Sequence, residues 1–180
     1  MRLKPGDKII VFDGYGSEFE AIIEDFSLKS VGVKLEKQIL RENKEINITL
    51  AQALPKAAKM DLIVKSAAEL GVDLIIPFTA ERSVSRIDTD RAAQKMKRWQ
   101  KIAIEASRAS RSGTITKVEN IASFKSVIKF GGGDSAKMIF WEEEFQRSIR
   151  DVLTGPAAEG VNQYFIIVVY ISPDGISLNE

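Results

Sequence analysis

Residues 72–79, with the sequence VDLIIPFT, contain the continuous apolar run LIIPF and lie between two segments that have helical spacing. A strand that is apolar at every position is typical of a parallel sheet, because helices cover both of its faces. The helix before it is predicted to begin near Pro55 and to end at Gly71, and a second helix is predicted from about Asp90 to Ser112. This alternation predicts an α/β fold with right-handed crossovers.

Three more apolar segments extend the predicted parallel sheet: INITLAQAL at 46–54, KMIFWEE at 137–143 and QYFIIVVYI at 163–171. A short helix, FQRSIRDVL, is predicted at 145–153. In open α/β sheets, ligands bind beyond the carboxyl ends of the strands. We therefore expect a binding site near residues 77–82, 141–144 and 172–175.

The first part of the chain has a different pattern, in which short β-rich segments alternate with turn signals such as PGD and DGYGSE. This spacing predicts a small all-β unit, either a barrel or a sheet. The polar stretch 41–45 is the predicted linker, so the chain is expected to divide into residues 1–44 and 45–180.

The 180 residues include no cysteine and no histidine. This composition excludes a disulfide framework and a thiolate nucleophile, and it removes the commonest general base and metal ligand. We expect no metal site, so any acid–base chemistry falls to Asp, Glu, Lys, Tyr or the substrate. The absence of a long apolar run and of a signal-peptide layout predicts a cytoplasmic protein without a membrane partner.

The second predicted helix lies in a basic region: ten Lys or Arg residues and four acids stand between Glu81 and Val118, a local net charge of +6. Such a face fits either a polyanion or ordinary solvated surface. Its apolar stripe includes Trp99, which is predicted to belong to the core. On the first helix, the spacing of Asp61, Lys65 and Glu69 predicts ion pairs between residues four apart.

Four segments in order along the chain carry a resemblance to a known family: RLKPGDKI, the long stretch from Thr49 to Val84, RWQKIAIEASRASR and IFWEEE. Together they resemble the RsmE-type ribosomal RNA methyltransferases of the SPOUT superfamily. The resemblance implies an N-terminal PUA-like β-barrel that helps to hold RNA, followed by a SPOUT domain with a Rossmann-like parallel sheet and a trefoil knot. It also implies a homodimer that uses S-adenosylmethionine to methylate N3 of a uridine in small-subunit (16S) ribosomal RNA.

The resemblance places the cofactor at Trp141, Ile171, Ser172, Pro173, Asp174 and Gly175. With the basic helix face, it places RNA at Arg82, Arg98, Lys101, Arg108 and Arg111. Other positions that match the family's motifs are Lys65, Glu69, Glu81 and Glu105. It identifies no catalytic residue.

The sequence departs from the family in its last residues. The family's cofactor loop, Gly-Pro-Glu-Gly-Gly, stands here as SPDGIS, with Ser172 for the first glycine and Asp174 for the glutamate. The family's pattern also continues past this point and begins before Met1, so a partial barrel and an incomplete knot are expected. Three readings remain open: a methyltransferase, a non-catalytic RNA-binding remnant, and a fragment with neither activity.

Overall fold

The structure is a computed structural model that describes residues 2–40, 44–55, 59–79, 89–130, 135–140, 148–155 and 160–169. Within these ranges the strands are β1 (Lys8–Phe12), β2 (Glu18–Phe26), β3 (Val31–Ile39), β4 (Asn47–Ala53), β5 (Leu74–Thr79), β6 (Lys117–Val118), β7 (Ala122–Ser123), β8 (Ala136–Phe140) and β9 (Gln163–Val168). The helices are α1 (Lys59–Glu69), α2 (Thr89–Ala109), α3 (Phe124–Lys129) and α4 (Ile149–Thr154).

Strands β1, β2 and β3 form an antiparallel sheet in sequence order. Alternate residues of β2 lie on its buried face, where Ala21 and Ile23 are each 1% exposed. The register between β2 and β3 shifts twice, as it does at β-bulges, which increase the local twist. Among the described residues this unit is an open three-stranded sheet, whereas the resemblance implies a barrel.

The second sheet is wholly parallel, in the order β6-β5-β4-β9-β8, and β7 pairs with β5 beyond β6. The predicted α/β fold is therefore confirmed, and each predicted strand and helix of this domain has a counterpart among the described residues. Residues 141–143, 145–147 and 170–171 of the predicted segments lie outside the described residues. The sequence did not predict β6, β7 or α3, because two strands of two residues and a helix of six show no periodicity. The implied trefoil knot stays a prediction, because the residues after Val169 lie outside the described ones.

A hydrophobic cluster covers each face of the parallel sheet. On one face Val64, Trp99 and Ala103 pack near Ile75 of β5. On the other, Ile76 and Phe78 of the same strand join a cluster with members from α3, β4 and β9. Both faces of β5 are therefore buried, as the continuous apolar run in its sequence predicts.

Helices α1 and α2 run side by side in the same direction. Near the start of α1, the Asp61 carboxylate contacts Arg98 and Trp99 of α2. Past the end of α1, the Val72 carbonyl accepts a hydrogen bond of 2.6 Å from the Thr116 hydroxyl. The carboxyl ends of both helices therefore lie where β5 and β6 begin, at the amino edge of the sheet.

Candidate functional site

The parallel strands end in register at the opposite, carboxyl edge of the sheet. Phe140 of β8 pairs with Val168 of β9, Val168 pairs with Gln52 of β4, and Ala53 of β4 pairs with Phe78 of β5. Of the segments expected to bind a ligand, 77–82 includes the end of β5, 141–144 follows β8 directly, and 172–175 begins four positions after the last residue of β9. The described strands thus end at one edge of the sheet, which is where open α/β sheets bind ligands. Residues 80–82, 141–144 and 172–175 of the expected binding segments lie outside the described residues.

None of the predicted cofactor residues belongs to the part of the chain that the structure describes. Outside the described residues lie Arg82 and the six predicted cofactor residues Trp141, Ile171, Ser172, Pro173, Asp174 and Gly175. Of the predicted site residues, the structure describes Arg98, Lys101, Arg108 and Arg111, which stand on α2 or at its end.

Helix α2 has two distinct faces. Trp99, Ala103 and Ala106 are buried, so the prediction that Trp99 belongs to the core is confirmed. The exposed face carries a stripe of basic residues at spacings of three, four or seven: Arg91, Lys95, Arg98, Lys101 and Arg108. A helix of 21 residues is about 31 Å long, so this stripe runs past the whole depth of the sheet.

Two of these cations already have partners within the protein. Arg98 forms an ion pair with Asp61, whose other carboxylate oxygen accepts a hydrogen bond of 3.1 Å from the indole nitrogen of Trp99. The predicted pair between Asp61 and Lys65 is therefore wrong, since the donors of α2 take this carboxylate. The predicted pair between Lys65 and Glu69 is confirmed at 3.8 Å.

Lys101 approaches Glu105 at 3.9 Å, in an exposed pair of the kind that contributes only about 0.2 to 0.5 kcal/mol. Arg108 is exposed, and no carboxylate of the described residues lies within ion-pair distance of its side chain. The carboxyl-terminal part of α2 therefore offers a cation that is not neutralised by the described part of the fold.

The end of α2 is closed by a Schellman motif. Arg111 donates its backbone N–H to the Arg108 carbonyl at 3.2 Å, and Ser112 donates to the Ser107 carbonyl at 3.1 Å. Arg111 takes the left-handed position of this motif, with φ of 55°, which is usually filled by glycine. The motif projects an arginine from the turn that follows the basic stripe.

The turn between β1 and β2 docks beside this helix end. The Gly14 carbonyl accepts a hydrogen bond of 3.1 Å from the Ile115 N–H, and backbone bridges pair Gly14 and Tyr15 with Thr114. A Cβ atom on Gly14 would lie 2.8 Å from the Ile115 side chain, and its φ is 85°. A glycine is therefore needed where this turn contacts the segment between α2 and β6.

The docked turn is organised by Asp13. Its carboxylate accepts backbone hydrogen bonds from Tyr15 at 2.7 Å and Ser17 at 3.1 Å. The hydrogen bond from Tyr15 is the main reason that the pKa of the Asp13 carboxyl is lowered from its ordinary value of 3.8. The Tyr15 side chain itself is 92% exposed. Sequence reasoning treated this stretch only as a turn signal and did not single out Tyr15, because nothing in the pattern indicates that the turn contacts residues 114 and 115.

Two kinds of site are not found among the described residues. No group of three or more His, Cys, Asp or Glu residues is gathered there that could hold a metal ion. Nor does any helix in that part of the chain have the length and apolar character needed to cross a membrane.

Two protein-family models match the sequence of this chain. Residues 41–169 match the sequence model of the RNA methyltransferase domain. The chain belongs to this family. Residues 1–36 match the model of the RNA methyltransferase PUA domain, which corresponds to the three-stranded sheet. The resemblance to RsmE-type enzymes and the two-part fold with a PUA-like sheet are thus confirmed.

Curated members of the RNA methyltransferase family are similar to the chain over part of their length. It is 34% identical over 131 residues to the ribosomal RNA small subunit methyltransferase E of Bacillus subtilis, an alignment that covers 72% of this chain and 51% of that protein. It is 23% identical over 177 residues to the protein of the same name in Mycobacterium tuberculosis, covering 97% and 65%. The chain thus spans about half to two thirds of the length of these relatives.

Solved structures of this family have the same fold. The chain superposes with a TM-score of 0.77 and 25% identity on a ribosomal RNA small subunit methyltransferase E from Neisseria gonorrhoeae bound to S-adenosylmethionine, covering 92% of this chain and 67% of that one. A putative methyltransferase from Legionella pneumophila, in complex with the same cofactor, gives a TM-score of 0.78 at 25% identity, covering 98% and 69%.

Proposed function

We propose that this chain acts in an S-adenosylmethionine-dependent methyltransferase that modifies N3 of a uridine in small-subunit ribosomal RNA. The observation that carries this proposal is the parallel sheet whose strands β4, β5, β8 and β9 end in register at one edge, beside a helix with a basic face. The names of the curated relatives support the substrate, and the two cofactor-bound neighbours support the methyl donor. A cytoplasmic location, at the ribosomal RNA, is part of the same proposal.

The two parts of the chain have separate roles in this proposal. Residues 1–44 form a PUA-like unit that helps to hold RNA, and residues 45–180 belong to the SPOUT methyltransferase domain. The cofactor, which supplies the methyl group, is bound by Trp141 and by the segment from Ile171 to Gly175, at the carboxyl edge of the sheet. RNA contacts Arg82 and the basic stripe of α2. Arg98 can add a phosphate contact while it braces the two helices, because a guanidinium carries five N–H donors.

Methylation of N3 requires that uridine lose a weakly acidic proton. A nearby cation favours the anion that forms, and a positioned base can accept the proton. With no histidine or cysteine in the chain, these tasks fall to Asp, Glu, Lys, Tyr or Arg side chains. A basic surface that holds the phosphates also raises the local positive potential, which favours the uridine anion.

The direct test is incubation of the purified chain with small ribosomal subunits that lack the modification and with methyl-labelled S-adenosylmethionine. We expect label in the ribosomal RNA and N3-methyluridine in its nucleoside digest, detected by mass spectrometry. Isothermal titration with S-adenosylmethionine alone measures binding of the cofactor independently. A chain that binds the cofactor and transfers no label to this RNA would contradict the proposed substrate.

The basic face is tested by the salt dependence of RNA binding. Neutralising Arg108 and Lys101 by alanine should reduce the slope of log affinity against log salt by about 0.7 for each lost phosphate contact with single-stranded RNA. The matched control replaces Lys59 of α1 and Lys125 of α3, which are also exposed. Equal slopes for the two double variants would show that α2 is merely a solvated face.

A second candidate is an RNA-binding protein without catalysis, which the SPDGIS sequence in place of the family's cofactor loop favours. It predicts the same salt-dependent binding with neither cofactor heat nor methyl transfer. We also propose that the chain forms a homodimer, which light scattering of the purified protein tests directly.

A further inference from the structure

We infer that Tyr15 stacks on an unpaired base of the RNA whose phosphates lie on the carboxyl-terminal part of α2. This inference deepens the proposed function and rests on it. It names one residue that stacks on a base while Arg108 and Arg111 bind the RNA phosphates. Four observations carry it: exposure, a fixed backbone, position and charge.

The exposure of Tyr15 differs from that of a packed aromatic residue. Its side chain is 92% exposed, although tyrosine usually buries much of its ring. Base stacking needs such an accessible ring face, and every base has a π-face, so stacking does not require a particular sequence.

The backbone that carries Tyr15 is fixed before any ligand binds. Asp13 accepts hydrogen bonds from the N–H groups of Tyr15 and Ser17, and Asp13 donates its own N–H to the Ser17 carbonyl at 3.1 Å. Gly14 is held to Ile115 on the far side of the turn. A platform whose backbone is already ordered loses less conformational entropy on binding than a mobile loop would.

The position of Tyr15 brings it beside the cations of α2. Its backbone bridges Thr114, which follows Arg111 by three residues, so the Cα atoms of Arg111 and Thr114 are at most about 11 Å apart. Arg111 and Arg108 are both exposed, and Arg111 follows the last residue of the basic stripe by three positions. The side chains of Tyr15 and Arg111 can therefore reach one nucleotide.

Charge selects RNA over an apolar partner at this place. A helix carboxyl end carries partial negative charge and would by itself repel phosphate. Here the Schellman bonds occupy the Ser107 and Arg108 carbonyls, and two guanidinium groups stand at the same end. Arginine pairs with phosphate through its planar fork, so an anionic strand with exposed bases fits both the cations and the ring.

The experiment compares two probes of equal length: a single-stranded RNA of twelve mixed nucleotides, and the same backbone with abasic sugars. Tyr15→Ala should weaken binding of the base-bearing RNA by about 5- to 150-fold, which corresponds to the loss of one stacked base. Its affinity for the abasic strand should equal that of the wild type. Tyr15→Phe should bind both strands as the wild type does, because it keeps the ring.

Leu28→Ala is the matched control, since Leu28 is a fully exposed apolar residue in the turn at the other end of β2. It should leave both affinities unchanged. Tyr15→Ala preserves the backbone hydrogen bonds to Asp13, so a loss of folding is not expected, and circular dichroism checks this. If the wild type binds the RNA and Tyr15→Ala binds it equally well, or loses affinity equally for both strands, this inference fails alone. If the wild type binds neither strand, the proposed RNA function fails with it.

Discussion

Helices α1 and α2 end in the same hydrogen-bonded motif, with a glycine at the left-handed position of one and an arginine at that of the other. Gly71 donates to Ala68 and Val72 donates to Ala67, at 3.1 and 3.0 Å, as Arg111 and Ser112 do with their own partners. The φ angles are 79° at Gly71 and 55° at Arg111. A left-handed conformation is unfavourable for any residue with a Cβ atom.

The surroundings of the two ends explain the difference. Past the end of α1, Lys44 donates to the Gly71 carbonyl and to the Asp73 carboxylate, which also accepts the Ile48 N–H of β4. A side chain at Gly71 would meet no atom within 4 Å, so this position needs only the right backbone. The end of α2 meets the turn that carries Tyr15. An arginine in this conformation leads us to expect a function for its side chain, because backbone outliers cluster at functional sites.

The largest loss of stability is expected at the contact between helices α1 and α2. Asp61→Ala removes the acceptor of the Trp99 N–H, and Trp99 is 4% exposed. An unsatisfied buried donor costs about 1 to 3 kcal/mol, so we expect the free energy of unfolding to fall by about 2 kcal/mol. Asp61→Asn retains an acceptor oxygen and should lose less than half of this in urea denaturation. Equal losses for the two variants would show that the indole hydrogen bond contributes nothing.

A smaller effect is expected from adding a side chain to the end of α1. Gly71→Ala meets no atom within 4 Å, so only the left-handed backbone opposes it, and we expect a loss of about 1 kcal/mol. Urea unfolding measures this loss. The exposed glycine Gly6, with φ of 91° and the same open space, is the matched control and should lose a similar amount. No loss at Gly71 would remove the basis for calling Arg111 strained.

The reciprocal change at α2 should have the opposite sign. Arg111→Gly relieves about 1 kcal/mol of backbone strain and removes a cation from the helix end, which is worth about 0.5 kcal/mol, so we expect a net gain of about 0.5 kcal/mol. Arg111→Ala keeps the strain and also removes the cation, so it should be less stable than the glycine variant by about 1 kcal/mol. Both should bind RNA more weakly than the wild type. A glycine variant that keeps full RNA affinity would show that strain at this position serves no RNA contact.

The smallest effect on stability is expected at the turn between β1 and β2, which contacts the segment after α2. The pKa of Asp13 is lowered in the folded state, so its stabilisation is present above the ordinary value of 3.8 and is lost as the pH falls through the lowered value. Asp13→Asn cannot lose a proton, so the wild type should be the more stable at pH 5 to 8 and should lose this advantage below about pH 4. Thermal unfolding between pH 3 and 8 measures the difference. A constant difference over the whole range would show that Asp13 is not the group that titrates.

The parallel sheet could be predicted because burial on both faces leaves a plain mark in the sequence of β5. The cation pattern of α2 was also visible, but its pairing was not, because Arg98 and Asp61 are 37 residues apart and their contact depends on how two helices pack. The strain at Arg111 left no sequence signal, since arginine is an ordinary residue near a helix carboxyl end. The role of the DGYGSE turn depends on a contact with residues 114 and 115, and single-sequence patterns contain no such information.

Helix α2 connects the amino edge of the parallel sheet to the side on which β5 ends, over about 31 Å. If RNA is anchored at Tyr15 and Arg111 while its target uridine reaches the cofactor edge, the helix acts as a fixed spacer between the two. The protein would then select RNA by the distance between its anchored end and the target uridine, as well as by its charge. A strand too short to span that distance could occupy one end only, which would give binding without correct placement of the target.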